Sequence, residues 1–160
     1  MDLEIRPATE ADVPLILTFI RELADYERLS HGVVATEEAL RDSLFGESRF
    51  AEVLLGYGDG SPAAFALFFH TFSTFLGKPG IYLEDLYVRP EFRGAGIGRA
   101  LLIHLARLAR ARDCGRLEWS VLDWNEPAIG FYKRIGASPV SGWTVYRVTG
   151  EALDELAARG

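Results

Sequence analysis

Residues 82–102, YLEDLYVRPEFRGAGIGRALL, constrain the chain more than any other stretch. An apolar run reads as a buried strand closed by Arg89-Pro90. Gly94, Gly96 and Gly98 then lead straight into a helix marked by Ile97, Leu101, Leu105 and Leu108. Glycine lets a backbone approach a ligand closely, and the unpaired N–H groups at a helix start favour anions, phosphate above all. Arg93 and Arg99 put positive charge at the two ends of the loop. A dinucleotide fingerprint needs G-x-G-x-x-G/A, but Arg99 takes the third position counted from Gly94, and Leu101 takes it counted from Gly96. No Gly-Lys-Ser/Thr of a P-loop is present either. What remains is R-x-x-G-x-G over residues 93–98, for which a ligand-free glycine turn is the alternative reading.

Around this motif the elements come in mixed order. Residues 3–6 read as a short strand ended by Pro7. Thr9, with Asp12 three residues on, caps an amphipathic helix. Val13, Ile16, Leu17, Ile20, Leu23 and Ala24 recur at helical spacing and carry that helix to about Leu29. Thr36 opens a shorter helix stopped at Gly46. Residues 50–57 and 63–74 form a hairpin about GDGSP, and 81–88 is a further strand. After the long helix come a strand at 117–122, a short helix at 127–135, a final strand at 143–148 and a last helix capped by Thr149. Hairpins followed by strand–helix–strand–helix–strand predict one α/β domain over residues 1–160. Its central sheet is mixed and largely antiparallel, flanked by helices, rather than doubly wound and parallel.

Composition narrows the partners. The net charge of -6 disfavours nonspecific attraction to nucleic acid or an anionic membrane, and suits a cationic ligand. The single cysteine, Cys114, cannot form an internal disulfide. A polar start and the lack of an apolar run of membrane-spanning length make the cytoplasm the expected compartment. His31, His70 and His104 share no metal-ligand spacing, so no metal site is expected.

A second cluster lies at 123–137, DWNEPAIGFYKRIGA. Asn125 is a helix N-cap and Pro127 suits an early helical position. Phe131 and Tyr132 then fall on adjacent faces, so one ring can pack inward while the other faces a cleft. Amphipathic packing accounts for either ring taken alone. Asn125, followed by Tyr132-Lys133 and Gly136, and the R-x-x-G-x-G loop after Val88-Arg89-Pro90 resemble the two halves of the signature of the GNAT N-acetyltransferase superfamily. IRPAT, RELADYE, YLEDLYV, RGAGIG and WNEPAIGFYKRIGA resemble more specifically its diamine and polyamine (spermidine/spermine) N-acetyltransferases, over residues 5–143.

The chemistry such a chain must perform is set by the acceptor. An aliphatic ammonium has a pKa near ~10.4, so only about one molecule in a thousand is a free nucleophile near neutral pH. The amine must lose a proton before attack, and the departing thiolate must gain one. Glu84 and Asp85 are neighbours in a strand, and regular alternation points them to opposite faces. Either one also reads as a carboxylate satisfied by arginine or backbone donors. The resemblance assigns Glu84 to the substrate side as base, directly or through water, and Tyr132 as general acid. It implies acetyl-coenzyme A as cosubstrate, held by Arg93, Gly94, Ala95, Gly96, Ile97, Gly98 and Arg99 at the pyrophosphate. Leu86, Tyr87 and Val88 lie along the acetyl and pantetheine arm, and Asn125 and Ala128 complete the cofactor contacts. Tyr26 and Glu27 fall on the substrate side, with Trp119 bordering the amine pocket; an exposed helix carboxylate is the other reading of Glu27.

The resemblance further implies direct transfer in a ternary complex to a primary amine of a small molecule, such as a polyamine or thialysine, by a homodimer. It implies no nucleic-acid or membrane partner. Neither Cys114 nor any serine has an obvious base in sequence, which agrees with the absence of an acyl-enzyme. One departure bears on the substrate: Ser73 stands where the polyamine enzymes carry an acidic residue, and the GKPG loop is one residue longer. The alternatives are a coenzyme A-binding sensor without catalysis and an acetyltransferase of protein N-termini or lysines.

Overall fold

Five strands form one open sheet in the order β1-β2-β3-β4-β5: β1 (Leu3–Pro7), β2 (Glu52–Gly58), β3 (Ser61–Ser73), β4 (Lys78–Val88) and β5 (Leu117–Trp119). The first three pairings are antiparallel and the last is parallel. The parallel step needs a crossover, which the sequence supplies as α3 (Ile97–Ala111). The other helices are α1 (Val13–Tyr26), α2 (Glu37–Phe45), α4 (Glu126–Arg134) and α5 (Gly150–Ala157). This computed structural model describes residues 1–160, which divide into two compact units, Met1–Leu122 and Asp123–Gly160. The mixed, largely antiparallel α/β architecture is the one expected.

In the first unit α1, with α2 beside it, covers one face of the sheet and α3 covers the other. Ile16, Phe19 and Leu23 of α1 pack on Val53, Leu55, Phe65 and Tyr87, with Leu44 of α2 closing the cluster. Phe19 stacks on Phe65 at 5.4 Å and meets the edge of Tyr87 at 6.3 Å. Full burial of such a ring is worth about 1.5–3 kcal/mol. Ile97, Leu101, Leu102, Leu105 and Ala109 make the buried stripe of α3. A Cβ on Gly56 would lie 3.5 Å from Ile97, which places α3 on the opposite face from α1.

Several boundaries differ from the sequence reading, each for a physical reason. The carboxylate of Asp12 accepts from the backbone N–H and the hydroxyl of Thr9, but this caps a single 3-10 turn, and α1 proper begins at Val13. It ends at Tyr26, three residues early, because Arg28 adopts φ 62 and closes the helix. The Arg28 N–H donates to Asp25 O and the Leu29 N–H to Ala24 O, the paired bonds of a Schellman cap. Pro7 remains inside β1, opposite Leu54. β5 stops at Trp119 instead of reaching Leu122.

The second unit contains α4, α5 and the chain between them. The strand expected at 143–148 is not formed: the segment joins no ladder, and Trp143, Val145 and Tyr146 are 83%, 88% and 92% exposed. Its β-formers supply propensity, but a strand exists only with a hydrogen-bonded neighbour. α4 is capped as read, with the Ala128 N–H donating to Asn125 Oδ1 at 3.4 Å.

Candidate functional site

β4 contains the irregularity on which the site depends. In its ladder with β3, Leu67 faces Asp85 while the next residue, Phe68, faces Leu83. Glu84 is therefore an extra residue, a β-bulge. A bulge bends its strand and re-aims the side chains that follow. Before it, Ile81 and Leu83 pair with His70 and Phe68; after it, Asp85 and Tyr87 pair with Leu67 and Phe65. Because Phe65 and Tyr87 pack against α1, Asp85 lies on that same face. The expected simple alternation of Glu84 and Asp85 to opposite faces is corrected here, since strict alternation fails across an inserted residue.

The bend has a second consequence. β5 pairs with β4 only at Ile81, Tyr82 and Leu83, so the parallel ladder ends one residue before the bulge. From Glu84 to Val88 the edge of β4 away from β3 joins no strand. Backbone groups of Leu86, Tyr87 and Val88 thus border a gap in the sheet. Trp119 sits at its mouth, opposite Leu83, and the next residue, Ser120, shares a 2.5 Å hydrogen bond between its hydroxyl and that of Tyr82.

Carboxylates gather where β4 bulges. Burial, reinforced by the charges of Glu84 and Glu27, pushes the Asp85 carboxyl up to about 7. Burial, with Glu84 beside it, also raises Glu27, the residue immediately after α1. Glu27, Glu84 and Asp85 therefore act on one another as one cluster, with Glu84 the exposed member. Such a group attracts a cation, and a carboxyl titrating near neutrality can exchange a proton there. Sequence reasoning weighed Asp85 beside Glu84 but gave it no role in the site. A bulge leaves no reliable signature in a single sequence, so alternation pointed it elsewhere.

Past β4, a short turn leads to the glycine loop. Gly94 and Gly96 both adopt φ 83, and Gly96 caps α3 in the left-handed region. That conformation calls for glycine at both positions. A Cβ on either would meet no atom within 4 Å, so the loop faces open space. Gly98 has ordinary geometry, with a Cβ position 3.7 Å from Val88. The first N–H groups of α3, at Ile97, Gly98 and Arg99, lie within the turn that has no intrahelical acceptor.

Arg93 does not project from the loop as a free positive charge. Its Nε donates to Val88 O at 2.9 Å, and its guanidinium lies over the rings of Tyr26, at 5.0 Å, and Tyr87, at 5.7 Å. Beside it, Arg89 holds Glu22 of α1 through two bonds of 3.1 and 2.9 Å and lies 4.7 Å over Phe19. The Tyr87 hydroxyl also donates to Glu22, and burial together with that carboxylate raises the Tyr87 phenol. Neither Glu22 nor Arg89 was singled out in sequence, because an ion pair between residues this far apart has no local pattern.

In the second unit, α4 carries Asn125, buried at its cap, and Ala128 one turn on. Tyr132 follows, its ring 5.6 Å from that of Phe131 and tilted by 44°.

Residues 19–137 match the Acetyltransferase (GNAT) family. The chain belongs to that family. It is 43% identical, over 97% of each chain, to the thialysine N-epsilon-acetyltransferase of Bos taurus. It is 33% identical to the L-ornithine N5-acetyltransferase of Arabidopsis thaliana, across 95% of this chain and 86% of that one. Among solved structures, an integron cassette protein from the mobile metagenome of V. cholerae superposes with a TM-score of 0.83 at 30% identity, covering 99% of both chains. The protein is an acyl-coenzyme A-dependent N-acetyltransferase, and acetyl-coenzyme A is the cosubstrate of its family. The first unit fits that group: an open glycine loop at a helix N-terminus suits a pyrophosphate, and an unpaired strand edge suits an extended amide-bearing arm. No helix is long and apolar enough to cross a membrane.

Proposed function

We propose that this enzyme acetylates the terminal primary amine of a short diamine or diamino acid, of the thialysine or ornithine type, within one domain spanning residues 1–160. The observation that carries the reading is the cluster of Glu27, Glu84 and Asp85 at the bulge of β4. A single-charge amine needs one carboxylate, whereas a compact dication is matched by several close together. The relatives named for thialysine and ornithine support the same class, since both compounds carry a second amino group on a short chain.

Acetyl-coenzyme A supplies an acyl thioester. The N–H groups of the 93–99 loop, with Arg99, hold its pyrophosphate; the strand edge at Leu86, Tyr87 and Val88 orients its arm; Asn125 and Ala128 complete its contacts. A backbone N–H of that edge would stabilise the charge that develops on the thioester oxygen. Glu84 takes the ammonium proton, directly or through water, and Asp85 tunes the local field in which it does so. Tyr26, Glu27 and Trp119 hold the acceptor. Tyr132 returns a proton to the leaving thiolate, a role supported by its place in the Asn125…Tyr132-Lys133…Gly136 pattern. The enzyme works as a cytoplasmic homodimer, without a metal.

Thiol release from acetyl-coenzyme A across thialysine, ornithine, lysine, putrescine, spermidine and a short peptide tests the reading. The expected order places the compact diamino acids first, by kcat/KM. A peptide at the head of that order, or no release with any amine, would overturn it.

A further inference from the structure

The resemblance places Arg93 among groups that hold the cofactor, yet its side chain is turned toward the acceptor-side helix. Three contacts define its position: the bond to Val88 O at the end of β4, and the two rings of Tyr26 and Tyr87 beneath its guanidinium. Tyr26 is the last residue of α1 and immediately precedes Glu27, a member of the carboxylate cluster. Gly94, the next residue after Arg93, has the left-handed backbone of the phosphate-facing turn. One planar cation thus spans the loop, the end of β4 and the end of α1.

We propose that Arg93 is a positioning residue that couples the two substrates, so that a loop ordered by acetyl-coenzyme A fixes Tyr26 and Glu27 for the amine. The proposal rests on the acetyltransferase reading of the loop. Gly94 and Gly96, on either side of Ala95, hold left-handed backbone, and a ligand on the N–H groups of this turn would fix them in it. Tying it down fixes where Arg93 starts, and so how well its guanidinium lies over Tyr26. The Schellman cap that ends α1 places a non-glycine residue, Arg28, in the left-handed region directly after Glu27. Cation–π contacts of this kind supply enough free energy for a coupling of roughly 2- to 30-fold. By linkage the effect is reciprocal: bound amine tightens the cofactor by the same factor.

Calorimetry on the full chain tests this with thialysine as the amine and coenzyme A as the loop ligand. In the unmodified enzyme, saturating coenzyme A should tighten thialysine by roughly 2- to 30-fold. Tyr26→Leu should bring that ratio to one, whereas Tyr26→Phe, which keeps the ring, should preserve it. Arg93→Lys should reduce the ratio, because an ammonium lacks the planar group that lies on both rings. If Tyr26 only touches the amine, Tyr26→Leu weakens thialysine equally with and without coenzyme A, leaving the ratio intact and refuting the coupling. A ratio of one in the unmodified enzyme, with both ligands binding, also refutes it while leaving the acetyltransferase reading standing. Failure of coenzyme A to bind at all would instead overturn that reading.

Discussion

Asp85→Asn separates electrostatic cost from packing at the bulge of β4. An aspartate is ordinarily ionised above its usual value of 3.8, but here burial and two neighbouring carboxylates move it to about 7. Between those two values the folded protein holds a proton that the unfolded chain has released. The direction follows: the group's contribution to stability is complete below about pH 4 and is lost as pH rises through 7. At ~1.36 kcal/mol per tenfold change, the full loss is about 4 kcal/mol. Asparagine keeps the shape and cannot ionise, so it abolishes the loss. Urea unfolding followed by tryptophan fluorescence should therefore show the variant growing more stable than the parent between about pH 4 and 7. The gap should then stay constant at higher pH, approaching ~4 kcal/mol. A gap that is the same at pH 4 and pH 8 would refute the buried-carboxylate account, whatever its size.

Three further outcomes follow from the geometry. Gly96→Val forces a β-branched residue into φ 83 at the cap of α3 and should weaken coenzyme A by about tenfold or more in calorimetry, whereas Gly98→Ala, whose Cβ meets only ordinary contact, should bind near normally. Arg28→Gly relieves a left-handed non-glycine cap and should raise stability by about 0.5–1 kcal/mol in denaturant unfolding, after the entropy glycine adds to the unfolded chain. Tyr132→Phe should lower kcat by roughly 10²–10⁴-fold with little change in coenzyme A affinity, as expected when a positioned acid is removed. Near-normal kcat would remove Tyr132 from the mechanism.

How far the molecule could be read from sequence depends on the range of the interaction concerned. The helices, the hairpin about Asp59 and Gly60 and the glycine loop were legible because their signals are local: periodicity, caps and turn residues. The left-handed backbone at Gly94 and Gly96 is where that reading was most productive, since the motif and the geometry name the same positions. Three features were not legible. The bulge at Glu84 arises from register with β3, a property of two strands together, and it moved Asp85 into the carboxylate cluster. The Glu22–Arg89 pair and the stacking of Arg93 on Tyr26 join α1 to the end of β4 across more than sixty positions, with no pattern in either segment. The stretch 143–148 shows the reverse failure: its residues favour a strand, but no ladder receives it.

The central claim is acetyl transfer from acetyl-coenzyme A straight to a short amine, with no acyl-enzyme. A single-turnover experiment with acetyl-labelled coenzyme A and enzyme in excess of it tests that claim directly. After quenching, protein and small molecules are separated and the label is located in each. With thialysine present, the label should pass to the amine in step with release of free thiol, and without amine it should remain on coenzyme A. Label bound covalently to the protein before amine is added, on Cys114 or any other side chain, would contradict the account, as would thiol release with no acetylated amine.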